Sequence, residues 1–104
     1  MYAKVITWRL AASLRSAEAY PRFLQDLAKR NVTALRQFGL LDGFVIRTGH
    51  DTIMTVNFYE TAEQAESAWA AMIGTNDHAK AVELELIERA MGPAEDLPLL
   101  LSPN

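Results

Sequence analysis

Two alternating apolar runs with a tight turn between them place the strongest constraint on how this chain folds. The runs span about 43–49 and 52–60, and the turn is centred on Gly49-His50-Asp51. Alternation of apolar and polar residues is typical of strands, and so short a connection makes the two strands antiparallel neighbours. The sequence therefore predicts a β-hairpin in the middle of the chain, against which the other elements must pack.

The segment before the hairpin has the spacing of an amphipathic helix. This helix is predicted to begin at Ser16 or Tyr20 and to end at Phe38, with Gly39 in the position that commonly terminates a helix. Its apolar positions, close to the 3.6-residue period, are Phe23, Leu24, Leu27, Ala28, Val32, Leu35 and Phe38.

A second helix is predicted after the hairpin. It begins at a capping box formed by Thr61 and Gln64 and is expected to end at Gly74. Its apolar positions are Ala65, Ala68, Trp69, Met72 and Ile73. The next segment is ambiguous, because residues 79–83 favour a helix whereas residues 83–86 alternate as a strand does. We expect a strand over about 84–91.

The N-terminal segment completes the pattern, since residues 2–10 contain β-branched and aromatic residues without Gly or Pro. The order strand–helix–strand–strand–helix–strand predicts an α+β domain with an antiparallel sheet and both helices on one face. The 104 residues fit one domain, with a core over about 2–91 and a C-terminal tail over 92–104.

Both faces of such a sheet would be apolar. The face toward the helices is predicted to carry Phe44, Ile46, Met54, Val56, Phe58, Leu84 and Leu86. The opposite face is predicted to carry Val45, Ile53, Tyr59, Ile87 and Met91, with Trp8 or Val5 according to the register of the first strand. A large apolar face is not expected to stay in water, so the sequence predicts a homodimer with two sheets packed face to face. The leucine-rich tail then packs either on the partner or on its own body.

Charge and composition exclude several partners. The net charge is −3, and no basic run is present, which argues against nucleic acid and anionic membranes. No apolar stretch is long enough for a signal peptide or a membrane span, and cysteine is absent, so a cytoplasmic protein is expected. Nucleotide-binding and metal-binding motifs are also absent, and no metal site is expected.

Three features resemble a known group of proteins: the Gly43-Phe44 opening of the hairpin, the passage from Thr55 to Thr61, and the helix that carries Trp69. With the order of elements, they resemble the dimeric α/β-barrel superfamily of ferredoxin-like domains over residues 2 to about 91. The antibiotic-biosynthesis-monooxygenase (ABM) type is the most similar. The resemblance implies a homodimer that closes into an α/β barrel, with a pocket between each sheet and its helices.

That resemblance leaves three functions open. The first is a cofactor-independent monooxygenase acting on a small aromatic or polyketide-like substrate. The second is a non-catalytic ligand-binding or assembly dimer, and the third is a haem-binding protein related to haem-degrading monooxygenases. The first requires a pocket that holds an aromatic molecule and stabilises its anion while dioxygen reacts.

Alternation on the face predicted to lie away from the helices supplies the polar candidates. They are Asn57, Tyr59, Arg47 and Arg89, with Trp8 as a wall of the pocket. Asn57 is the best catalytic candidate, because its amide can donate a hydrogen bond to an oxyanion. Asn57 could equally hydrogen-bond across the dimer, and Arg47 and Arg89 could pair with Glu83 or Glu85.

The second helix and the turn after it supply three further candidates: Trp69, Met72 and His78. The resemblance implies that the Trp69 indole lies against a flat ligand, and we predict Trp69 as a second catalytic residue; a core position is the alternative. Met72 on the same helix is predicted to bind substrate. No cofactor is expected. If haem binds, the resemblance implies His78 as the axial iron ligand. The haem-degrading branch has an Asn on its first strand where this chain has Trp8, which argues against haem degradation but not against haem binding.

Overall fold

The computed structural model of the chain describes the backbone of residues 1–95 and the side chains of residues 1–71 and 83–95. Its strands are β1 (Tyr2–Leu10), β2 (Leu40–Arg47), β3 (Thr52–Tyr59) and β4 (Leu84–Pro93). They form one antiparallel sheet in the order β2-β3-β1-β4. All four predicted strands are confirmed. The packing predicted for the tail concerns mainly residues 96–104, which lie outside the described residues.

The helices alternate with the strands in the expected order. They are α1 (Ala19–Leu27), α2 (Thr33–Arg36) and α3 (Ala62–Glu83), preceded by a short 3₁₀ turn at Ala12–Leu14. A π-helical stretch, Ala28–Val32, joins α1 to α2, and we call the whole of residues 19–36 the first helical segment. The arrangement is the ferredoxin-like α+β fold.

The π-helical stretch explains how one apolar stripe runs along the whole first helical segment. Phe23 and Leu35 are both buried, although they lie twelve positions apart. In an uninterrupted α-helix that separation would turn the two side chains about 120° away from each other. The wider π turn accommodates an additional residue and returns Leu35 to the face that Phe23 occupies.

One predicted helix boundary is close to the observed one and another is confirmed. The first helical segment ends at Arg36, two residues before the predicted Phe38. Gly39 has φ of +90°, and its amide donates to the carbonyl of Arg36 at 3.0 Å just after α2. The capping box at the start of α3 also forms. The Gln64 amide nitrogen donates to Thr61 Oγ1 at 3.2 Å, and the Thr61 amide donates to Gln64 Oε1 at 3.3 Å.

The prediction that Gly74 ends the second helix is wrong, because α3 continues to Glu83. A glycine inside a helix costs only about 1 kcal/mol relative to alanine. The residues that follow, among them Ala79, Lys80 and Ala81, favour the helix enough to continue it. The ambiguous segment is therefore helical up to residue 83 and a strand from residue 84. No helix in the described part of the chain is both long and apolar enough to cross a membrane.

The two faces of the β2–β3 hairpin are the reverse of those predicted. In the register, Trp8 pairs with Ile53 and Tyr2 with Tyr59, so these residues share a face with the buried row of β1. The residues that point toward the helices are Lys4, Ile6, Trp8, Leu10, Arg47, Val45, Ile53, Thr55, Asn57 and Tyr59. The prediction failed because it assigned the more apolar row of the hairpin to the helices, whereas pairing with β1 places there the mixed row that contains Arg47, Thr55 and Asn57.

A bulge reverses the alternation within β4. Its pairing with β1 shifts between Thr7 and Trp8, which leaves Ile87 as an extra residue. Leu84 and Leu86 therefore lie on the helix side, as predicted. Arg89 and Met91, predicted for the opposite face, lie on the helix side as well, because the bulge changes the direction of every later side chain.

The outer face, which no described helix covers, is nevertheless apolar. It carries Val5, Phe44, Ile46, Met54, Val56 and Phe58. Phe44 and Ile46 are 53% and 49% exposed, and the rings of Phe44 and Phe58 meet edge to face with centroids 6.1 Å apart. The expectation of a second apolar face is thus confirmed, with the opposite set of residues.

Candidate functional site

A cavity of about 390 Å³ lies between the first helical segment and the sheet. Its floor is formed by buried residues of the strands, including Ile6, Trp8 and Leu84. Its helical wall carries Leu24, Leu27, Ala28, Asn31, Val32, Leu35 and Arg36. The exposed lining residues of β2, Leu41 to Val45, form its mouth at the edge of the sheet. Size and apolar lining are those of a small-molecule site.

The Asn57 amide enters this cavity because Gly43 has no side chain. A Cβ at position 43 would lie 2.7 Å from Asn57 Oδ1 and would clash with it. Gly43 and Asn57 are direct partners in the β2–β3 ladder. Within the described part of the chain, no side chain or backbone group hydrogen-bonds to the Asn57 amide. Its two N–H donors and its carbonyl oxygen can therefore serve a ligand.

Trp8 forms part of the floor, as predicted, although it lies on the opposite face of the sheet from the one considered. It is 5% exposed, and its Nε1 donates to Thr55 Oγ1 at 3.1 Å. This bond fixes the indole on the sheet and occupies one polar group of the cavity. Trp8 therefore offers the cavity a rigid aromatic surface.

Three further polar side chains line the cavity. Asn31 is half-buried on the π-helical stretch, whereas Arg36 and Asp42 are exposed near the mouth. Asp42 Oδ1 accepts a hydrogen bond from the Gly43 amide at 2.8 Å. The carboxylate and the guanidinium are thus peripheral, and the deeper polar groups are neutral.

Trp69 and Arg89 do not line the cavity. The indole of Trp69 contacts two cations: Lys4 Nζ lies 3.8 Å and Arg89 Cζ 4.8 Å from its ring centroid. Lys4 is only 1% exposed. These three residues form a cation–π cluster between α3, β1 and β4. The catalytic role of Trp69 and the ligand-binding role of Arg89 stay predictions. In this structure the two residues pack against each other and Lys4 instead.

The Arg47 side chain hydrogen-bonds to backbone carbonyl oxygens and does not line the cavity. Its guanidinium donates to the carbonyl oxygens of Gly49 at 3.3 Å, His50 at 2.8 Å and Arg15 at 3.1 Å. It also lies over the ring of Tyr20, 4.4 Å from the centroid. These contacts tie the hairpin to the start of the first helical segment.

The alternative pairing of Arg47 and Arg89 with acidic residues is wrong. Glu83 pairs with Arg30, at 2.9 Å between Oε1 and Nη1. Glu85 pairs with Arg9, at 3.2 Å between the same kinds of atom. Both acidic residues thus have other basic partners within the described residues.

Tyr59 is buried beside Leu35, Ala65 and Ala68 and does not belong to the cavity lining, although Leu35 does. Burial raises the pKa of its phenol to about 12, so the group stays neutral throughout the physiological range. It is therefore unsuited to act as a base near neutral pH. The remaining candidates, Met72 and His78, have side chains outside the described residues, and their roles stay predictions.

Sequence reasoning missed Asn31 and Thr55. Thr55 stands two positions before Asn57 on β3, so the alternation that pointed to Asn57 also places Thr55 on its face. Asn31 interrupts the apolar stripe of the first helical segment between Ala28 and Val32. A single amide inside an apolar stripe was the signal that could have identified it.

The structure resembles solved proteins of the same fold. HapK from Hahella chejuensis matches with a TM-score of 0.69 at 13% identity, over 94% of this chain and 96% of that one. SnoaB from Streptomyces nogalater, described as a cofactor-independent oxygenase, matches with 0.65 at 13% identity, over 92% and 94%. A dimeric ferredoxin-like protein from an uncultured marine organism matches with 0.65 at 15% identity, over 91% and 97%.

A protein from Chloroflexus aurantiacus with the description "putative Antibiotic biosynthesis monooxygenase" matches with a TM-score of 0.58 at 15% identity, over 93% of this chain and 96% of that one. The resemblance seen in the sequence is therefore confirmed at the level of the fold. The identities of these neighbours are too low to carry more than the fold. No protein-family profile matches the sequence, and no curated protein matches it.

Proposed function

We propose that this chain is a cofactor-independent monooxygenase of the ABM type, acting on a small hydroxylated aromatic or polyketide-like substrate. The observation that carries the proposal is the Asn57 amide in the apolar cavity of about 390 Å³. An apolar cavity with few polar groups favours a flat ring, and an unengaged amide favours an oxygen on that ring. The likeness in fold to a cofactor-independent oxygenase adds support.

In this mechanism Asn57 binds the oxygen on which negative charge develops. A phenol or enol that loses its proton places charge on that oxygen, and a neutral amide donor stabilises the anion more strongly than the neutral substrate. The surrounding apolar side chains, such as Trp8 and Ile6, exclude water and so strengthen this hydrogen bond.

The electrons for the reaction come from the substrate. The anion transfers electron density to dioxygen, a C–O bond forms at a ring CH₂ group, and protonation gives a hydroperoxide. Loss of water from the hydroperoxide leaves a carbonyl, so that R₂CH₂ and O₂ give R₂C=O and H₂O. One oxygen atom enters the product and the other leaves as water.

The cavity restricts the substrate to one that ionises readily. Among the described lining residues, the acidic and basic side chains are Asp42 and Arg36, both exposed near the mouth. Neither is buried where it could act as a tuned base. The substrate must therefore lose its proton without a deep general base, which favours anthrone- or naphthol-type compounds.

Oxygen uptake with such compounds tests the proposal. In Asn57→Leu the amide is lost at nearly constant volume, and kcat is expected to fall about 100-fold, as for removal of one oxyanion donor. Gly43→Ala, whose Cβ displaces the Asn57 amide, should give a smaller fall in the same direction. Gln25→Leu, an exposed amide of α1 outside the cavity lining, is the matched control and should keep full activity.

With ¹⁸O₂, the product should contain one labelled oxygen. Flat oxygen traces across hydroxylated anthracenes and naphthalenes, or an Asn57→Leu variant as active as the unmodified chain, would contradict the proposal. Circular dichroism of each variant establishes that a loss of activity is not a loss of fold.

A non-catalytic ligand-binding dimer is the second candidate, favoured by the lack of a deep acid or base among the described lining residues. Binding without oxygen uptake would support it. Haem binding rests on His78, whose side chain lies outside the described residues. A Soret shift with hemin that disappears in His78→Ala would support haem binding, and an unchanged hemin spectrum would contradict it.

We propose a homodimer formed through the outer face. The exposure of Phe44 and Ile46 supports it, as do the descriptions of neighbours with this fold as dimeric. A Phe44→Glu/Val56→Glu double variant should sediment as a monomer, whereas Gln25→Glu should not change the sedimentation coefficient. A monomer of the unmodified chain at micromolar concentration would contradict the proposal.

A further inference from the structure

Asn31 stands in the middle of the apolar wall that the first helical segment gives to the cavity. Its neighbours in that wall are Leu27, Ala28, Val32 and Leu35. Asn31 is half-buried, and its amide makes no hydrogen bond with the described residues. A polar group that loses water without gaining a partner is unfavourable by about 1–3 kcal/mol. A ligand that fills the cavity must therefore bond to Asn31 or bear this loss.

The local backbone is the second, independent observation. The π-helical stretch spans Ala28–Val32, and three of its five residues, Ala28, Asn31 and Val32, line the cavity. π-Helical turns are rare and occur often at functional sites. Here the turn changes the direction of the side chains that follow it, so it determines which of them face the cavity. The irregular part of the helical segment is also the part with the unpaired amide.

Asn31 and Asn57 lie on opposite walls. Asn57 projects from β3 on the sheet side and Asn31 from the helical side, while Ile6, Leu24 and Leu27 are among the apolar residues of the same lining. A ring with one polar group can satisfy one amide only. A ring with polar groups at two opposite edges can satisfy both.

We propose that Asn31 is a specificity-determining residue that selects aromatic ligands with hydrogen-bonding oxygens, hydroxyl or carbonyl, at two opposite edges. Asn57 binds the oxygen at one edge and Asn31 the oxygen at the other. The inference deepens the proposed function and rests on it for the role of Asn57, but binding alone is enough to test it.

The test is calorimetric titration without oxygen, so that binding is separated from oxidation. The probes are 2-naphthol, with one hydroxyl, and 2,6-dihydroxynaphthalene, with hydroxyls at opposite edges of the same ring system. The unmodified chain should bind the diol about tenfold more tightly, the effect of one additional hydrogen bond between neutral groups.

Asn31→Leu should remove that preference by weakening diol binding about tenfold, while its affinity for 2-naphthol stays equal or rises. Gln25→Leu, on the same helical segment but outside the cavity lining, should keep the tenfold preference. Asn57→Leu should weaken binding of both probes, because both place a hydroxyl on Asn57.

The inference is overturned if the unmodified chain binds both probes equally, if neither binds, or if the preference survives in Asn31→Leu. These outcomes are separate from those of the oxygenase proposal. Oxygen uptake that does not depend on Asn31, together with equal binding of the probes, would leave the oxygenase standing and remove the inference. A diol preference that depends on Asn31, in a chain that takes up no oxygen, would support the inference and contradict the oxygenase proposal.

Discussion

The space between sheet and helices is divided into two halves that are built differently. Under the N-terminal part of α3, Ala65 and Ala68 are fully buried against Tyr59, and Trp69 lies against Lys4 and Arg89; we call this the packed half. Under the first helical segment, Phe23 belongs to a buried cluster with Ile6, Trp8 and Ile53, but about 390 Å³ beside this cluster stays unfilled; we call this the cavity half.

The difference follows from the side chains at the contact, because their size sets how closely a helix approaches a neighbouring layer. Two alanines let α3 approach the sheet, and Tyr59 fills the space below them. On the other side, branched side chains such as Leu24 and Leu27 border the empty volume. We therefore expect truncation to be more destabilising at the buried contact of Tyr59 than at the wall of the cavity, and ligand binding to be confined to the cavity half.

The largest expected effect comes from emptying the packed half. Tyr59→Ala should lower the free energy of unfolding by about 3–5 kcal/mol, the usual loss for a buried aromatic side chain. Leu27→Ala, at the half-buried wall of the cavity, should lower it by only about 1–2 kcal/mol. Urea denaturation followed by circular dichroism measures both. Equal losses would show that the two halves do not differ in stability.

The same alanine-to-leucine substitution in each half tests whether the cavity half has room for a larger side chain. Ala68→Leu overfills the packed half and should destabilise the chain by about 1–3 kcal/mol. Ala28→Leu makes the same change at the cavity wall and should alter stability by less than about 0.5 kcal/mol, while it weakens binding of 2,6-dihydroxynaphthalene. If Ala28→Leu proves as destabilising as Ala68→Leu, the cavity has no room for the added methyl groups.

The last expected effect, absent at neutral pH, is a dependence of stability on pH in the packed half. The native pKa of Tyr59, about 12, lies above the ordinary value of 10.0, so the neutral phenol favours the native state. The contribution of the neutral phenol to the free energy of unfolding is complete below pH 10 and is lost as the pH rises from 10 to 12. At pH 11 the loss amounts to about 1.4 kcal/mol. The difference in unfolding free energy between the unmodified chain and Tyr59→Phe, measured from pH 8 to 11, should show this loss. A constant difference over that range would contradict it.

The order of elements could be read from the sequence because each element carries its own local signal. The hairpin has alternation and a turn, and the helices have periodic stripes with Gly39 and the Thr61–Gln64 box at their boundaries. Local signals also misled: Gly74 resembles a helix end, but the residues beyond it extend α3. Cofactor use and cellular location stay predictions, because neither depends on the fold.

The candidate site was only partly readable. Asn57 and Trp8 were named as candidates and both line the cavity, although their roles stay predictions. They were assigned to the wrong face of the sheet, because the more apolar of the two rows of the hairpin faces away from the helices. The choice between them depends on pairing with β1, a contact between segments far apart in the chain. Arg89 could not be placed either, since the bulge in β4 has no clear sequence signal. Asn31 carried a sequence signal, a single amide inside the apolar stripe, but only the structure shows that it lines the cavity.

The central position of β1 also has a consequence for folding. This strand lies in the middle of the sheet, yet its neighbours come much later in the chain: Trp8 bonds to Thr55, 47 residues away, and Arg9 to Glu85, 76 residues away. On the ribosome, β1 therefore emerges long before either partner and must wait with its apolar residues unpaired. Such distant pairing slows folding, so we expect this small domain to fold more slowly than helical proteins of its length, and β1 to be the segment most in need of chaperones.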